Sequence, residues 1–189
     1  MPRAICDRCR RPQRVCLCGL TQPVPHKTPV VVLQDAQERR HPFGTVRLLQ
    51  LMLSNMTVIP VWEGKPVARP TELPDNTALL MPRPESRPLS EVSLEGVLGA
   101  LVVLDGTWPH ARRIYHEHRW VQSLPCVHLE GVEVTRYGLR KAPAPGWLCT
   151  LEAVASALEV LEPESGCKAP LMGALEGMVQ LQRSLERGR

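Results

Sequence analysis

The run Ala100-Leu101-Val102-Val103-Leu104 is apolar at every position and stops abruptly at Asp105-Gly106-Thr107-Trp108-Pro109. A half-buried strand alternates apolar and polar residues. A strand without that alternation is buried on both faces, as in a parallel sheet covered by helices. In such sheets ligands bind beyond the carboxyl ends of the strands. A carboxylate, a hydroxyl and an indole therefore stand where chemistry is usually done. Pro109 suits a first helical turn, and His110 to Trp120 reads as a helix leaving that turn.

The same reading extends along the chain. Thr28 to Leu33 is the first core strand, followed by a polar loop over 34–41. Thr45 to Ser54 reads as a helix with Val46, Leu49 and Leu53 on one side. Met56 to Val61, Thr77 to Met81, Ala100 to Leu104 and Pro125 to Leu129 read as further strands. A helix enters at Cys149 and runs to about Leu161, and a last one begins near Pro170. Prolines cluster at 60–74, 82–88 and 142–145, which marks loops. This alternation predicts an α/β fold with a mostly parallel sheet and flanking helices. The 189 residues suffice for one such domain with a small appendage. The boundary is placed after residue 25, giving segments 1–25 and 26–189.

Hydrophobic residues make up 43% of the chain, yet no apolar run approaches the roughly 18 residues that span a bilayer. The start, Met1-Pro2-Arg3-Ala4-Ile5-Cys6, lacks the apolar region of a secretory signal. The expectation is a cytoplasmic protein without a membrane partner.

Seven cysteines are present, and Cys6, Cys9, Cys16 and Cys18 fall within thirteen residues. Without an export signal, disulfides are not expected. Two close pairs of thiolates match a tetrahedral structural zinc site, since four ligands leave no open position for catalysis. A redox pair or free thiols is the competing reading, and the short Cys16-x-Cys18 spacing is what favours it. Cys126 and Cys167 read as small core residues.

The net charge is +4, but arginine is unevenly placed. Arg3, Arg8, Arg10, Arg11 and Arg14 crowd the start, Arg112 and Arg113 follow the Asp-Gly-Thr-Trp turn, and Arg136, Arg140 and Lys141 form a third cluster. Such patches fit a polyanion such as nucleic acid, or simply a solvated surface. Cys149-Thr150-Leu151-Glu152 has capping-box spacing with a thiol in the hydroxyl's place. It is read either as a weak cap or as a helix N-terminus left free for a ligand carboxylate. Asp105 likewise has two readings, a general base or the cap of the helix at Pro109.

Taken in order, Cys6-x-x-Cys9 with Cys16-x-Cys18, Leu79-Leu80-Met81-Pro82, Asp105-Gly106-Thr107-Trp108, Tyr137-Gly138-Leu139-Arg140-Lys141-Ala142-Pro143 and Leu148-Cys149-Thr150-Leu151-Glu152-Ala153 resemble the motifs of the DTW-domain family. The resemblance covers about Cys6 to Leu161. The chain departs from the pattern with Asp35-Ala36 where His-Pro is expected, Gly44 where asparagine is common, and Cys149 where serine is common.

The resemblance implies a SPOUT-like knotted α/β domain that binds S-adenosylmethionine. The implied activity is transfer of its 3-amino-3-carboxypropyl group to N3 of a tRNA uridine, in the variable loop, with release of methylthioadenosine. It implies cofactor contacts from Leu80, Pro82, Gly106, Leu139, Arg140, Lys141, Pro143, Cys149, Thr150 and Glu152. It implies substrate contacts from Thr107, Trp108, Arg112, Arg113 and Tyr137. SPOUT relatives often dimerise, so the resemblance leaves both a monomer and a homodimer open.

The chemistry suits these residues. Which carbon of a sulfonium is attacked depends on which is aligned with the nucleophile, so the task is largely one of positioning. Uridine N3 must lose its proton, and Asp105 is the natural base. Trp108 can stack on an unstacked base. Two rival functions stay open at this stage. A SPOUT-type RNA methyltransferase would release S-adenosylhomocysteine. A zinc-knuckle RNA-binding protein would leave tRNA unmodified.

Overall fold

The structure is a computed structural model that describes residues 4–131, 135–139 and 147–187. Six strands form one parallel sheet: β1 Val30–Asp35, β2 Met56–Val61, β3 Thr77–Leu80, β4 Arg87–Pro88, β5 Ala100–Asp105 and β6 Cys126–His128. Their spatial order is β2-β1-β5-β3-β6-β4. The helices are α1 Val46–Met52, α2 Leu89–Glu95, α3 Trp108–Glu117, α4 Arg119–Gln122, α5 Thr150–Leu161 and α6 Lys168–Arg187.

Strand alternation sends side chains to two separate cores. Val30, Val32, Leu101 and Val103 face one side and pack with residues of α1, α5 and α6. Val31, Leu33, Ala100 and Val102 face the other and pack with Ile114 and Tyr115 of α3 and Val121 of α4. Both faces of β1 and β5 are thus covered, which is why these strands lack alternation in sequence. The amino-terminal segment joins the first core, with Cys9, Leu17 and Val24 buried in it. Burying a leucine such as Leu17 contributes about 1.5–3 kcal/mol. Leu20 packs so closely on α6 that a Cβ at Gly177 would lie 2.9 Å from its side chain.

Several boundaries differ from the sequence reading. Gln34 and Asp35, expected in a polar loop, are the last residues of β1 and are buried. They can be buried because each polar group has a partner: Gln34 bonds Asp105, and Asp35 receives Arg113. The helix expected from His110 to Trp120 is two helices. It breaks at His118, whose backbone is extended and whose buried ring bonds the Ile114 carbonyl at 2.7 Å. β4 and α2 were not anticipated, since 82–88 reads as a proline loop. A two-residue strand holds Pro88 because it lies at the sheet edge, where a missing N–H is tolerated. Pro60 is accommodated the same way in β2 at the opposite edge. The last helix starts at Lys168, with Pro170 inside its first turn. Cys126 and Cys167 are buried, as expected of core residues.

One feature of the topology places the site. From β1 the chain crosses to β2 on one side, through α1 on the first face. From β5 it crosses toward β6 on the other side, through α3 on the second face. The connections diverge between neighbouring strands, so a crevice opens at their carboxyl ends. Gln34 and Asp105 are register partners at that point.

Candidate active site and cysteine cluster

Asp105 ends β5 and points to the same face as Val103, toward α5. There Thr150, the first residue of α5, donates its hydroxyl to Asp105 Oδ1 at 2.5 Å. Gln34 Nε2 donates to Oδ2 at 2.9 Å. Both carboxylate oxygens thus accept from a side chain of the described residues. The N-cap position of the helix after β5 is Thr107, not Asp105. The reading of Asp105 as a helix cap therefore falls.

Asp35, one residue beyond Gln34, points to the opposite face and meets α3. Arg113 bonds its carboxylate and also Glu63 at 2.7 Å, while His110 Nδ1 lies 3.7 Å from Asp35. This packing needs Gly106: a Cβ there would sit 3.0 Å from that of His110 and 3.4 Å from that of Asp35. Arg113 thus serves the joint between α3 and β1 and does not line the cleft. Arg112 does line it.

Two adjoining cavities occupy the crevice. One, of about 740 Å³, is lined by Asp105, Thr107, Trp108, Tyr137 and Cys149 among others. The second, of about 540 Å³, is lined by Leu80, Met81, Pro82, Leu104, His128 and Leu129 among others. Gly106, Trp108, Arg112, Trp147, Leu148 and Thr150 border both. Trp108 and Trp147 meet with ring centroids 4.2 Å apart and form part of that shared border. Trp147 was not singled out from sequence. Its position one residue before the Leu-Cys-Thr-Leu-Glu segment was the available signal.

The far wall depends on Glu152. Its buried carboxylate accepts the Cys149 N–H at 2.8 Å, the Arg136 N–H at 2.7 Å and the Thr135 hydroxyl at 2.7 Å. It does not line either cavity; it clamps residues 135–137 to the start of α5. The capping box at Cys149 is formed in spite of the thiol, so the expectation of a free helix N-terminus is corrected. Burial pushes the Cys149 thiol well above its ordinary pKa, and the nearby Glu152 carboxylate adds to the shift. Tyr137 is buried and donates its hydroxyl to the Phe43 carbonyl. Leu139 packs against the first core and does not line the cleft. Arg140, Lys141 and Pro143 lie outside the described residues.

At the amino terminus the four cysteine sulfurs lie within 4.8 Å of one another. Cys6 and Cys18 are 3.7 Å apart, as are Cys9 and Cys16. A zinc tetrahedron with sulfur at about 2.3 Å has edges of about 3.8 Å. The donor set therefore fits a structural zinc ion. Backbone N–H groups of Cys9 and Arg8 lower the Cys6 thiol to about 6, while burial first and the neighbouring thiols next push Cys18 up to about 12.

A doubly covered parallel sheet with a carboxylate in the crevice of its switch point defines an α/β ligand-binding protein of the enzyme type. The DTW domain model matches residues 3–183, and the chain belongs to that family. It is 32% identical over 187 residues to tRNA-uridine aminocarboxypropyltransferase 2 of Drosophila melanogaster, covering 94% of this chain and 74% of the relative. It is 30% identical over 215 residues to tRNA-uridine aminocarboxypropyltransferase A of Arabidopsis thaliana, covering 95% and 81%. The mouse protein named tRNA-uridine aminocarboxypropyltransferase 2 is 28% identical over 190 residues; this chain spans 64% of its length. No solved structure matches the chain.

Proposed function

We propose that the protein transfers the 3-amino-3-carboxypropyl group of S-adenosylmethionine to N3 of a tRNA uridine, in the variable loop. The observation that carries this reading is Asp105, held by Gln34 and Thr150 at the switch point and facing a chamber bordered by Trp108. The names of the relatives supply the reaction.

The apolar cavity lined by Leu80, Pro82 and Leu129 suits the adenosine, since small-molecule sites are mostly apolar with volumes of about 300–1,000 Å³. The cofactor, when bound, supplies an activated carbon on its sulfonium. Trp108 stacks on the unstacked uracil, and Thr107 and Tyr137 border the same chamber. Asp105 takes the N3 proton, which makes the nitrogen a nucleophile. Gln34 and Thr150 keep the carboxylate oriented. A zinc ion held by Cys6, Cys9, Cys16 and Cys18 would be structural, since four protein ligands leave no open position.

Mass spectrometry of nucleosides from tRNA incubated with the protein and S-adenosylmethionine tests the proposal. The expected products are aminocarboxypropyluridine and methylthioadenosine. S-Adenosylhomocysteine with methylated RNA, or unmodified tRNA, overturns it.

A further inference from the structure

A larger cavity, of about 1110 Å³, lies outside the reaction crevice. It is a groove between the cysteine knuckle, the turn after β1 and the end of α6. Arg10, Arg11 and Arg14 line it from the knuckle, and Arg39 and Arg47 from β1's exit and α1. Its one lining carboxylate among the described residues is the exposed Glu186. None of the five guanidinium groups forms an ion pair with a carboxylate of the described residues.

Two of the five are held by the backbone. Arg11 donates to the Pro42 carbonyl at 2.8 Å, and Arg47 donates to the Cys9 carbonyl at 2.7 Å. Both are only partly exposed. Gathering like charges in a concave, half-buried place is unfavourable unless an anion completes it.

The groove also has a direction. Phe43 and Gly44 line both it and the Asp105 chamber. A smaller cavity of about 410 Å³ carries Arg39 and Arg47 onward to Arg8 and to Gln34. Fixed guanidinium forks match phosphate oxygens in geometry as well as charge. We infer that this groove carries the sugar–phosphate backbone of the RNA whose uridine enters the Asp105 chamber, with Phe43 and Gly44 as the edge over which that nucleotide leaves its strand. The inference rests on the RNA-modifying reading above and names the surface that reading lacks.

Arg14→Gln and Arg39→Gln, singly and together in the zinc-loaded full chain, test it. Neither side chain holds the backbone, and Arg39 lies outside the knuckle, so at least one variant keeps the fold; zinc content and thermal melts check this. The probe is an unmodified tRNA transcript, its binding followed by fluorescence anisotropy between about 50 and 200 mM salt. Each substitution should weaken binding and flatten the log–log salt dependence by about one unit, so the double variant loses about two. Arg119→Gln, on the exposed side of α4, should leave both unchanged. An unaltered salt slope in the double variant overturns the inference, whether or not the protein modifies tRNA. Flattened slopes in a protein that forms no product support the groove and overturn the reaction instead. Competition by polyglutamate as effective as by RNA of equal length overturns the phosphate assignment in favour of an acidic protein.

Discussion

Gln34 and Asp105 are register partners on adjacent parallel strands, and the Gln34 amide donates to the Asp105 carboxylate at 2.9 Å. The bond spans the point where the chain turns away in opposite directions from β1 and β5. The carboxylate is therefore aimed from below by one strand and from the side by Thr150 of α5.

Asp105→Asn should abolish transfer while the chain stays folded. Loss of a general base costs about 10²–10⁴-fold in rate, or roughly 3–5 kcal/mol of barrier. Since the Asp105 carboxylate bonds Gln34 and Thr150 and the N-cap position of α3 falls at Thr107, the loss cannot come from capping. Single-turnover transfer with saturating tRNA and cofactor, beside a thermal melt, measures it. A rate near that of the wild type removes Asp105 from the mechanism.

Gln34→Glu places a second carboxylate against Asp105. Two carboxylates in contact share a proton, so the upper of their two apparent pKa values rises. The acid limb of the single-turnover rate profile should move to higher pH, with transfer at neutral pH reduced about tenfold or more. If Gln34 only fills space, the melting temperature changes and the profile does not move.

Trp108→Ala removes the ring that borders both cavities. Stacking of a base on an aromatic side chain is worth about 1–3 kcal/mol. KM for tRNA should rise by roughly five- to a hundredfold on that scale. Steady-state kinetics at fixed cofactor check it, and an unchanged KM would place the uracil elsewhere.

Cys149 should alkylate slowly at neutral pH. Burial raises its pKa, so the thiol stays protonated, and the thiolate is the reactive form. Its iodoacetamide labelling, read by peptide mass spectrometry on folded protein, should stay slow at pH values where an ordinary thiol already reacts as the thiolate. Labelling at neutral pH as fast as that of a free peptide thiol contradicts the raised pKa.

Purified protein should hold close to one zinc per chain at Cys6, Cys9, Cys16 and Cys18. Because Leu17 and Cys9 are buried in the main core, metal removal should lower the melting temperature of the whole molecule. Metal analysis with a chelator-treated melt checks both. A zinc-free protein with an unchanged melt rules the site out.

The parallel sheet was legible because its signal is local. Unbroken apolar runs at Val30–Leu33 and Ala100–Leu104 can only be buried on both faces, and four cysteines in thirteen residues point to one ion. The Asp-Gly-Thr-Trp turn was legible as a site because a strand ends there. The partners of those residues were decided by tertiary structure alone. Gln34 and Asp35 are polar neighbours in sequence and read as loop, yet strand alternation sends them to opposite faces, one to Asp105 and one to Arg113. Arg112 and Arg113 look interchangeable, but the helix directs Arg112 to the cleft and Arg113 to Asp35. Trp147 gained meaning only by meeting Trp108. Periodicity along a chain reports which face is buried; it carries no information about which distant side chain waits on that face.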